Sequence, residues 1–280
     1  MRLSEHPSSG PAGALVPLGD QAVLVQWPDE ATAWAWGEQL RRNPPPWLED
    51  VVVAYVSVGV FYDARSVRYA QVRDYLLSLP CPSLSPPPQG SLLQLQQRLW
   101  RIPVCYAPSY APDLDAVATA TGLTPEEVIR CHQSVTYTVY AIGFVPGFPY
   151  LGYLPEPLRG VPRLATPRRE VPAGSVGVAG KQTGIYPLPR PGGWHLIGRT
   201  PLLIVDWETA FFPLAVGDRV RFEAIDPQTF AHLLGRRLDT EFLSGPDPHA
   251  ANSDLGQPVC SSSPCPQATG NDRQDRDAIT

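Results

Sequence analysis

No part of this chain constrains its fold more than the stretch from Gly143 to Thr200, where no helical period survives. Short β-forming pieces, Val176–Ala179, Ile185–Leu188, His195–Ile197 and, just beyond, Leu202–Trp207, are separated by Gly/Pro turns at roughly even spacing. Proline fixes φ and gives no N–H to a ladder, while glycine frees φ, so this punctuation makes rigid loops between short strands. Such a pattern favours a closed or nearly closed antiparallel barrel over a parallel sheet. The other clusters among the 34 prolines, Pro44–Pro46 and the Cys81–Pro88 stretch, read as connectors.

The flanks divide the rest. Residues 1–13 are rich in Ser, Pro and Gly and read as a flexible N-terminus. From 14 to 80 the order is strand (Leu15–Trp27, bent at Gly19-Asp20), helix (Glu30–Arg42), two short strands or one bent strand (Val51–Tyr62), and helix (Arg65–Leu79). That order makes a small α/β sandwich domain. Residues 81–100 form a Pro-rich linker with a short helical lead-in expected from Ser91, and 101–238 carry the barrel domain. Its expected elements are a strand at Ile102–Tyr106, a helix from the Asp113 cap to Gly122, and a helix from Thr124 to about Gln133. Thr124-Pro125-Glu126-Glu127 is a capping box with proline at the first helical position. An alternating strand follows at Val135–Ile142, then the punctuated tract, a last strand after Gly217-Asp218, and a closing helix over Pro227–Arg237. Residues 244–280 read as a disordered tail. The fold class expected is therefore α+β, a small sandwich followed by an antiparallel β-barrel.

The net charge is −5 and no basic patch interleaves with aromatics, which argues against nucleic acid as a partner. The longest apolar runs, such as Val51–Val60, fall far short of the ~20 residues of a membrane helix. The N-terminus lacks the continuous apolar core of a secretory signal. The five cysteines are scattered without a C-x-x-C pair or a histidine at zinc spacing, so the reading is incidental thiols in a reducing cytoplasm and no metal site.

Ala179-Gly180-Lys181-Gln182-Thr183-Gly184 looks superficially like the end of a phosphate-binding loop. It fails at Ser175, where the first glycine should stand, and at Gln182, where Ser or Thr is required. No G-x-S-x-G elbow and no H-E-x-x-H occurs. What remains is Gly143–Gly152, whose Phe148 and Tyr150 are suited to wall a flat ring, against the plainer reading of a barrel corner packing its aromatics inward. Pro167-Arg168-Arg169 beside the Gly174-Ser175 turn offers guanidinium groups and amides for a carboxylate or phosphate. Gln182, Thr183 and Tyr186 supply an amide, a hydroxyl and a phenol, and Trp194, Arg199 and Thr200 a third set. Together they have the composition of a small pocket for a polar anion. His132 falls on the apolar face of its helix, where it reads either as a packed core histidine or as a proton carrier at the pocket floor. Lys181 is given no catalytic role.

Gly143–Gly152, Val171–Gly177, Gln182–Pro187 and Gly192–Pro201, in that order, resemble the KipI family, also called allophanate hydrolase subunit 1. Gly19–Val23, Pro112-Asp113-Leu114 and the His132 segment extend the likeness over about Leu15–Ile225. The resemblance implies a cyclophilin-like barrel. In the family's enzymatic member it implies the B subunit of a prokaryotic ATP-dependent 5-oxoprolinase, acting with the A and C subunits. It implies ATP, with Mg, as co-substrate and no tightly bound cofactor. The expected catalytic residues are His132, Tyr186 and Arg199. The expected binding residues are Phe148, Tyr150, Arg168, Gly174, Ser175, Gln182, Thr183, Trp194 and Thr200. Inhibition of a sensor histidine kinase and a carboxyltransferase role in urea or allophanate metabolism stand as alternatives. The family's Gly-rich stretch before Pro-Asp-Leu is replaced here by Ala107–Ala111.

Overall fold

A computed structural model of the chain describes residues 15–80 and 98–244. The expected flexible N-terminus, most of the linker and the tail after Ser244 lie outside the described residues.

The first unit is a four-stranded antiparallel sheet in the order β1-β2-β4-β3, built from β1 (Leu15–Pro17), β2 (Ala22–Gln26), β3 (Leu48–Ala54) and β4 (Ser57–Tyr62). Period-two alternation sends Val51 and Val53 inward while Val52 stays exposed. Helices α1 (Glu30–Arg42) and α2 (Tyr69–Ser78) supply Trp36, Leu40, Val72 and Leu76 to the same core. Asp29 caps α1 by accepting the Thr32 N–H at 2.7 Å. Gly37 lets α1 approach the sheet, since a Cβ there would sit 2.5 Å from Val53 Cγ2. Helix α2 begins four residues later than the hydrophobic stripe predicts, because Ser66 and Val67 N–H groups both turn back onto the Asp63 carbonyl.

The second unit is a closed ring of seven strands. Its members are β5 (Leu99–Cys105), β6 (Tyr137–Ile142), β7 (Pro149–Gly152), β9 (Ser175–Ala179), β10 (Gln182–Ile185), β12 (His195–Arg199) and β13 (Arg219–Ile225). They pair in the order β12-β9-β10-β7-β6-β13-β5, and Arg199 against Cys105 closes the ring. Strand β8 (Arg168–Val171) pairs with β11 (Arg190–Gly192) as a separate two-stranded sheet, and β14 (Leu243–Ser244) adds to β5. The ladders are antiparallel except β5 with β13, which run parallel over seven residue pairs.

Helices α3 (Leu114–Thr121) and α4 (Pro125–Gln133) join the barrel core through Leu114, Val117 and Val128. The α3 C-cap is Gly122 at φ +70°, and the Thr124–Glu127 box that opens α4 forms both reciprocal bonds. Helix α5 (Pro227–Leu233) stops short of Arg237, ahead of Gly235 at φ +81°. Leu202–Trp207 is not a strand: it makes only single bridges, Leu203 to Arg237 and Asp206 to Phe211. The piece expected at Ile185–Leu188 lies earlier, at Gln182–Ile185, since Pro187 has no N–H to continue the ladder. The lead-in expected to be helical is strand at Leu99 and Trp100. The tract that imitates a phosphate loop is the β9–β10 hairpin, with Gln182 paired to Ala179.

Candidate functional site

The interior of the barrel is packed. Alternation directs Val139, Leu151, Val176, Val178, Ile185, Val220 and Phe222 inward, and α4 adds His132, which is wholly buried. The Thr183 hydroxyl donates its one hydrogen to the Gly177 carbonyl at 3.0 Å, so it accepts from His132 Nε2–H, also at 3.0 Å. His132 Nδ1 therefore accepts from the Tyr106 hydroxyl at 2.9 Å. The imidazole stacks on Phe222 with ring centroids 4.6 Å apart. Burial lowers its pKa to about 3 and pushes the Tyr106 phenol up. Sealed, neutral at physiological pH and with both nitrogens engaged, His132 is a core histidine. The expectation of a proton carrier is corrected on that ground, and Thr183 likewise serves the interior, with no surface left for a substrate.

The other face of the same strands is different. On β7, β9 and β10 the residues facing outward include Gly152, Gly177 and Gly184, a floor without side chains. A Cβ at Gly184 would lie 2.9 Å from Phe148 Cζ, and one at Gly177 would lie 3.1 Å from Trp194 Cβ. Glycine at these places lets aromatic rings lie directly on the sheet. Phe148 touches Tyr150, Tyr186 and Trp194 edge to face, at centroid separations of 4.9, 5.2 and 5.6 Å. Four of the expected site residues thus meet in one cluster, separate from the barrel core. Burial raises the phenol pKa of Tyr186 and of Tyr150, so both act as neutral hydroxyls.

Beyond this cluster a second aromatic group stands where the first unit meets the barrel. Tyr55, in the β3–β4 turn, packs on Tyr140 at 5.0 Å and on Tyr153 at 5.9 Å between centroids. Next to it a cavity of about 450 Å³ is lined by Tyr55, Tyr153, Arg163, Lys181 and Gln182, among others. A larger depression, about 760 Å³, lies between α4 and β13. It holds none of the expected site residues, and Arg101 and Glu223 neutralise each other inside it at 3.0 Å. Of the expected site residues Gln182 alone lines the smaller cavity. Gly184, two residues along β10 on the same outer face, lies under Phe148, and the candidate site is placed at the smaller cavity.

The expected anion grip fares differently. Arg168 is spent on Asp113, with Nη2 at 2.5 Å from Oδ1. Asp113 also accepts the Leu196 N–H at 2.7 Å. A guanidinium so paired is a clamp between β8 and β12 and has little left for a ligand. The Gly174 amide donates to the Tyr186 carbonyl at 2.7 Å and the Ser175 amide to the Pro172 carbonyl at 3.2 Å. Neither N–H is free, so the expectation that they hold an anion is corrected. Gly174, at φ +80°, sits so close to Thr200 that a Cβ would come within 2.3 Å of its carbonyl oxygen. The buried Thr200 hydroxyl accepts the Leu202 N–H at 3.3 Å. Arg199 Nε donates to the Ala173 carbonyl at 2.8 Å, and its terminal amino groups have no partner among the described residues. Of the cations expected to converge, Arg168 is held by Asp113 at the start of α3 and Arg199 by the Ala173 carbonyl, and the cations that line the cavity are two others.

Those two, Arg163 and Lys181, were missed with Tyr55, Tyr153 and Asp113. Tyr55 is 98 residues or more from every other residue that lines the cavity, so no local pattern reveals it. Lys181 was legible as the second residue of a tight hairpin loop, a position that projects a side chain outward.

A small antiparallel sheet joined to a closed, internally packed barrel defines a class of domain rather than a reaction. The chain belongs to the family described as carboxyltransferase domain, subdomain C and D, whose profile matches residues 14–212. Within it, the chain falls among proteins named as the B subunit of 5-oxoprolinase. It is 37% identical to that of Bacillus subtilis (strain 168) over 226 residues, 76% of this chain and 93% of that one. It is 40% identical to that of Haemophilus influenzae over 215 residues, 74% and 96% of the two chains. Identity to the protein from Escherichia coli O157:H7 reaches 50% over 135 residues, 48% of this chain and 62% of that one. Among solved structures, TTHA0988 superposes with a TM-score of 0.59 at 39% identity over 74% of this chain, which spans only 40% of that longer one. Kluyveromyces lactis urea carboxylase shares the fold, with a TM-score of 0.59 at 16% identity over 78% of this chain and 22% of that one. No helix among the described residues is long and apolar enough to cross a membrane.

Proposed function

We propose that the chain works as the B subunit of an ATP-dependent 5-oxoprolinase, which with the A and C subunits opens 5-oxo-L-proline to L-glutamate in the cytoplasm. The observation that carries this reading is the likeness to proteins of that name along 93% and 96% of their lengths. The chemistry explains why ATP, with Mg, enters. A five-membered lactam is little strained, its carbonyl is a poor electrophile and its amide nitrogen a poor leaving group. Transfer of the γ-phosphoryl group to the lactam oxygen makes the ring carbon open to water. The ring C–N bond of the adduct then breaks, the nitrogen leaving as the protonated amine, and a second water releases phosphate from the resulting acyl phosphate to give glutamate.

In this reading Tyr150, the partly exposed member of the aromatic cluster, seats a flat five-membered ring, with Phe148 and Trp194 packed behind it on the glycine floor. Tyr186 is the neutral hydroxyl beside it, Gln182 is the amide that orients it, and Arg199 is the remaining expected cation. Arg168 acts through Asp113 as a positioning residue for β12 and Trp194. The carboxyl-transfer reading has less behind it, since the likeness to urea carboxylase is one of fold. The test is to mix the purified chain with its candidate partners and follow glutamate release with and without ATP. Release that requires this chain and ATP supports the proposal. Release that is unchanged when this chain is left out contradicts it.

A further inference from the structure

We infer that the cavity between the Tyr55 turn and the Gly180–Lys181 turn binds an oxyanion, a carboxylate or a phosphate group, and that both units of the chain build it. This deepens the 5-oxoprolinase reading and rests on it only for the identity of the natural ligand.

Two tight turns line the cavity. Ala179 pairs with Gln182, which leaves Gly180 and Lys181 as a two-residue hairpin loop with Gly180 at φ +60°. The loop is fastened from outside: Gly180 N–H donates to the Val161 carbonyl at 2.7 Å, Gly160 N–H to the Gly180 carbonyl at 2.8 Å, and Leu154 N–H to the Lys181 carbonyl at 2.9 Å. Lys181 therefore projects from a backbone that is already ordered. Opposite, Ala54 pairs with Ser57, leaving Tyr55 and Val56 as the loop. Tyr55 occupies φ +52°, a region that glycine would enter without strain. A bulky aromatic held there, against Tyr140 and Tyr153, brings a side chain of the first unit to the barrel's outer face.

The polar groups point to the charge of the occupant. Arg163 and Lys181 line the cavity and have no ion pair among the described residues. Among the described residues no aspartate or glutamate lines it, although the chain as a whole carries a net charge of −5. The carboxylate joined to a lining residue, Glu30, accepts from the Tyr153 hydroxyl. The Tyr55 hydroxyl is buried and turned toward Gln182, but makes no hydrogen bond of normal geometry. Burial raises its pKa, so it remains a donor at neutral pH. Two unspent cations, a phenol O–H and a primary amide around one concavity complement the oxygens of an anion and repel a cation. The volume, about 450 Å³, suits a small molecule.

The test is calorimetric titration of the full chain with sodium 5-oxoprolinate, with inorganic phosphate, and with 2-pyrrolidinone, the same lactam without its carboxylate. The inference predicts that at least one of the two anions binds in the millimolar range or tighter and that pyrrolidinone does not. Preference for 5-oxoprolinate assigns the site to the carboxylate, and preference for phosphate assigns it to the phosphoryl donor. The exposed double substitution Arg163→Ala/Lys181→Ala should weaken anion binding at least tenfold, and Tyr55→Phe severalfold, with circular dichroism unchanged. Raising the salt should weaken wild-type binding more than that of the double variant. Absence of binding by both anions, equal binding of pyrrolidinone, or unaltered binding by the double variant overturns the inference. A reconstituted enzyme that fails to release glutamate while the anion still binds removes the 5-oxoprolinase reading and leaves the anion site standing.

Discussion

Replacing Asp113 by alanine takes an acceptor from two partners at once. One is the Leu196 N–H, buried and bonded at 2.7 Å. Left unsatisfied, it costs about 1–3 kcal/mol. The other is Arg168, whose side chain keeps 29% exposure and can turn to water, so loss of the ion pair adds only about 1 kcal/mol. The expected loss is about 2–4 kcal/mol. Asp113→Asn retains an oxygen for the Leu196 N–H and gives up the charge, so it should cost about 1 kcal/mol. Arg168→Met should cost a similar amount, and in the Asp113→Ala background it should cost nothing further. Urea unfolding followed by tryptophan fluorescence reads these differences as shifts in midpoint at constant slope. If alanine cost less than about 1 kcal/mol, or asparagine cost as much as alanine, the clamp between β8 and β12 would not rest on this carboxylate.

His132 is neutral in the folded chain, with a pKa of about 3 against 6.5 for the free side chain. The unfolded chain binds the extra proton, so this group's stabilisation is complete above pH 6.5 and is lost as pH falls toward 3. The slope is about 1.4 kcal/mol per pH unit. Unfolding at pH 5 and pH 7 should differ by about 2 kcal/mol in the wild type, and His132→Gln should lack that difference; equal slopes would contradict the assignment. Gly184→Ala puts a Cβ 2.8 Å from the Pro149 carbonyl and 2.9 Å from Phe148 Cζ. It should destabilise by about 1–3 kcal/mol in thermal unfolding and alter the Trp194 environment in near-ultraviolet circular dichroism. Asp218, almost fully buried, accepts from Arg98, from Trp100 Nε1 at 2.9 Å and from the Ala215 N–H at 2.9 Å. Asp218→Ala should therefore cost about 3–5 kcal/mol by urea titration.

The elements with local chemistry were legible. The Thr124–Glu127 box, the αL glycine after α3 and the alternation of Tyr137, Val139 and Ala141 each decide their own structure within a few residues. The Leu202–Trp207 segment misled because β-branched composition does not reveal whether a neighbouring strand is present to pair with. Parallel pairing of β5 with β13 was hidden for the same reason, since it joins residues about 120 apart. In the site, Phe148, Tyr150, Tyr186 and Trp194 do meet in one cluster, but the glycines, read as openings for backbone amides toward a ligand, instead make room for the rings. One charge was misread because pairing cancels it: Arg168 looks available in sequence, and only the fold brings Asp113 to it. Tyr55 and Arg163 illustrate the converse, being ordinary residues until two separate turns line one cavity.

The central claim is that the chain's chemistry lies on the glycine-floored outer face of β7, β9 and β10, while the barrel interior is only core. A crystal structure of the chain assembled with its partner subunits and grown with 5-oxoproline tests it most directly. The account predicts the ring against Tyr150 and Gln182 with its carboxylate toward Lys181 and Arg163. Ligand in the groove between α4 and β13, or beside His132, with that outer face unoccupied, would contradict it.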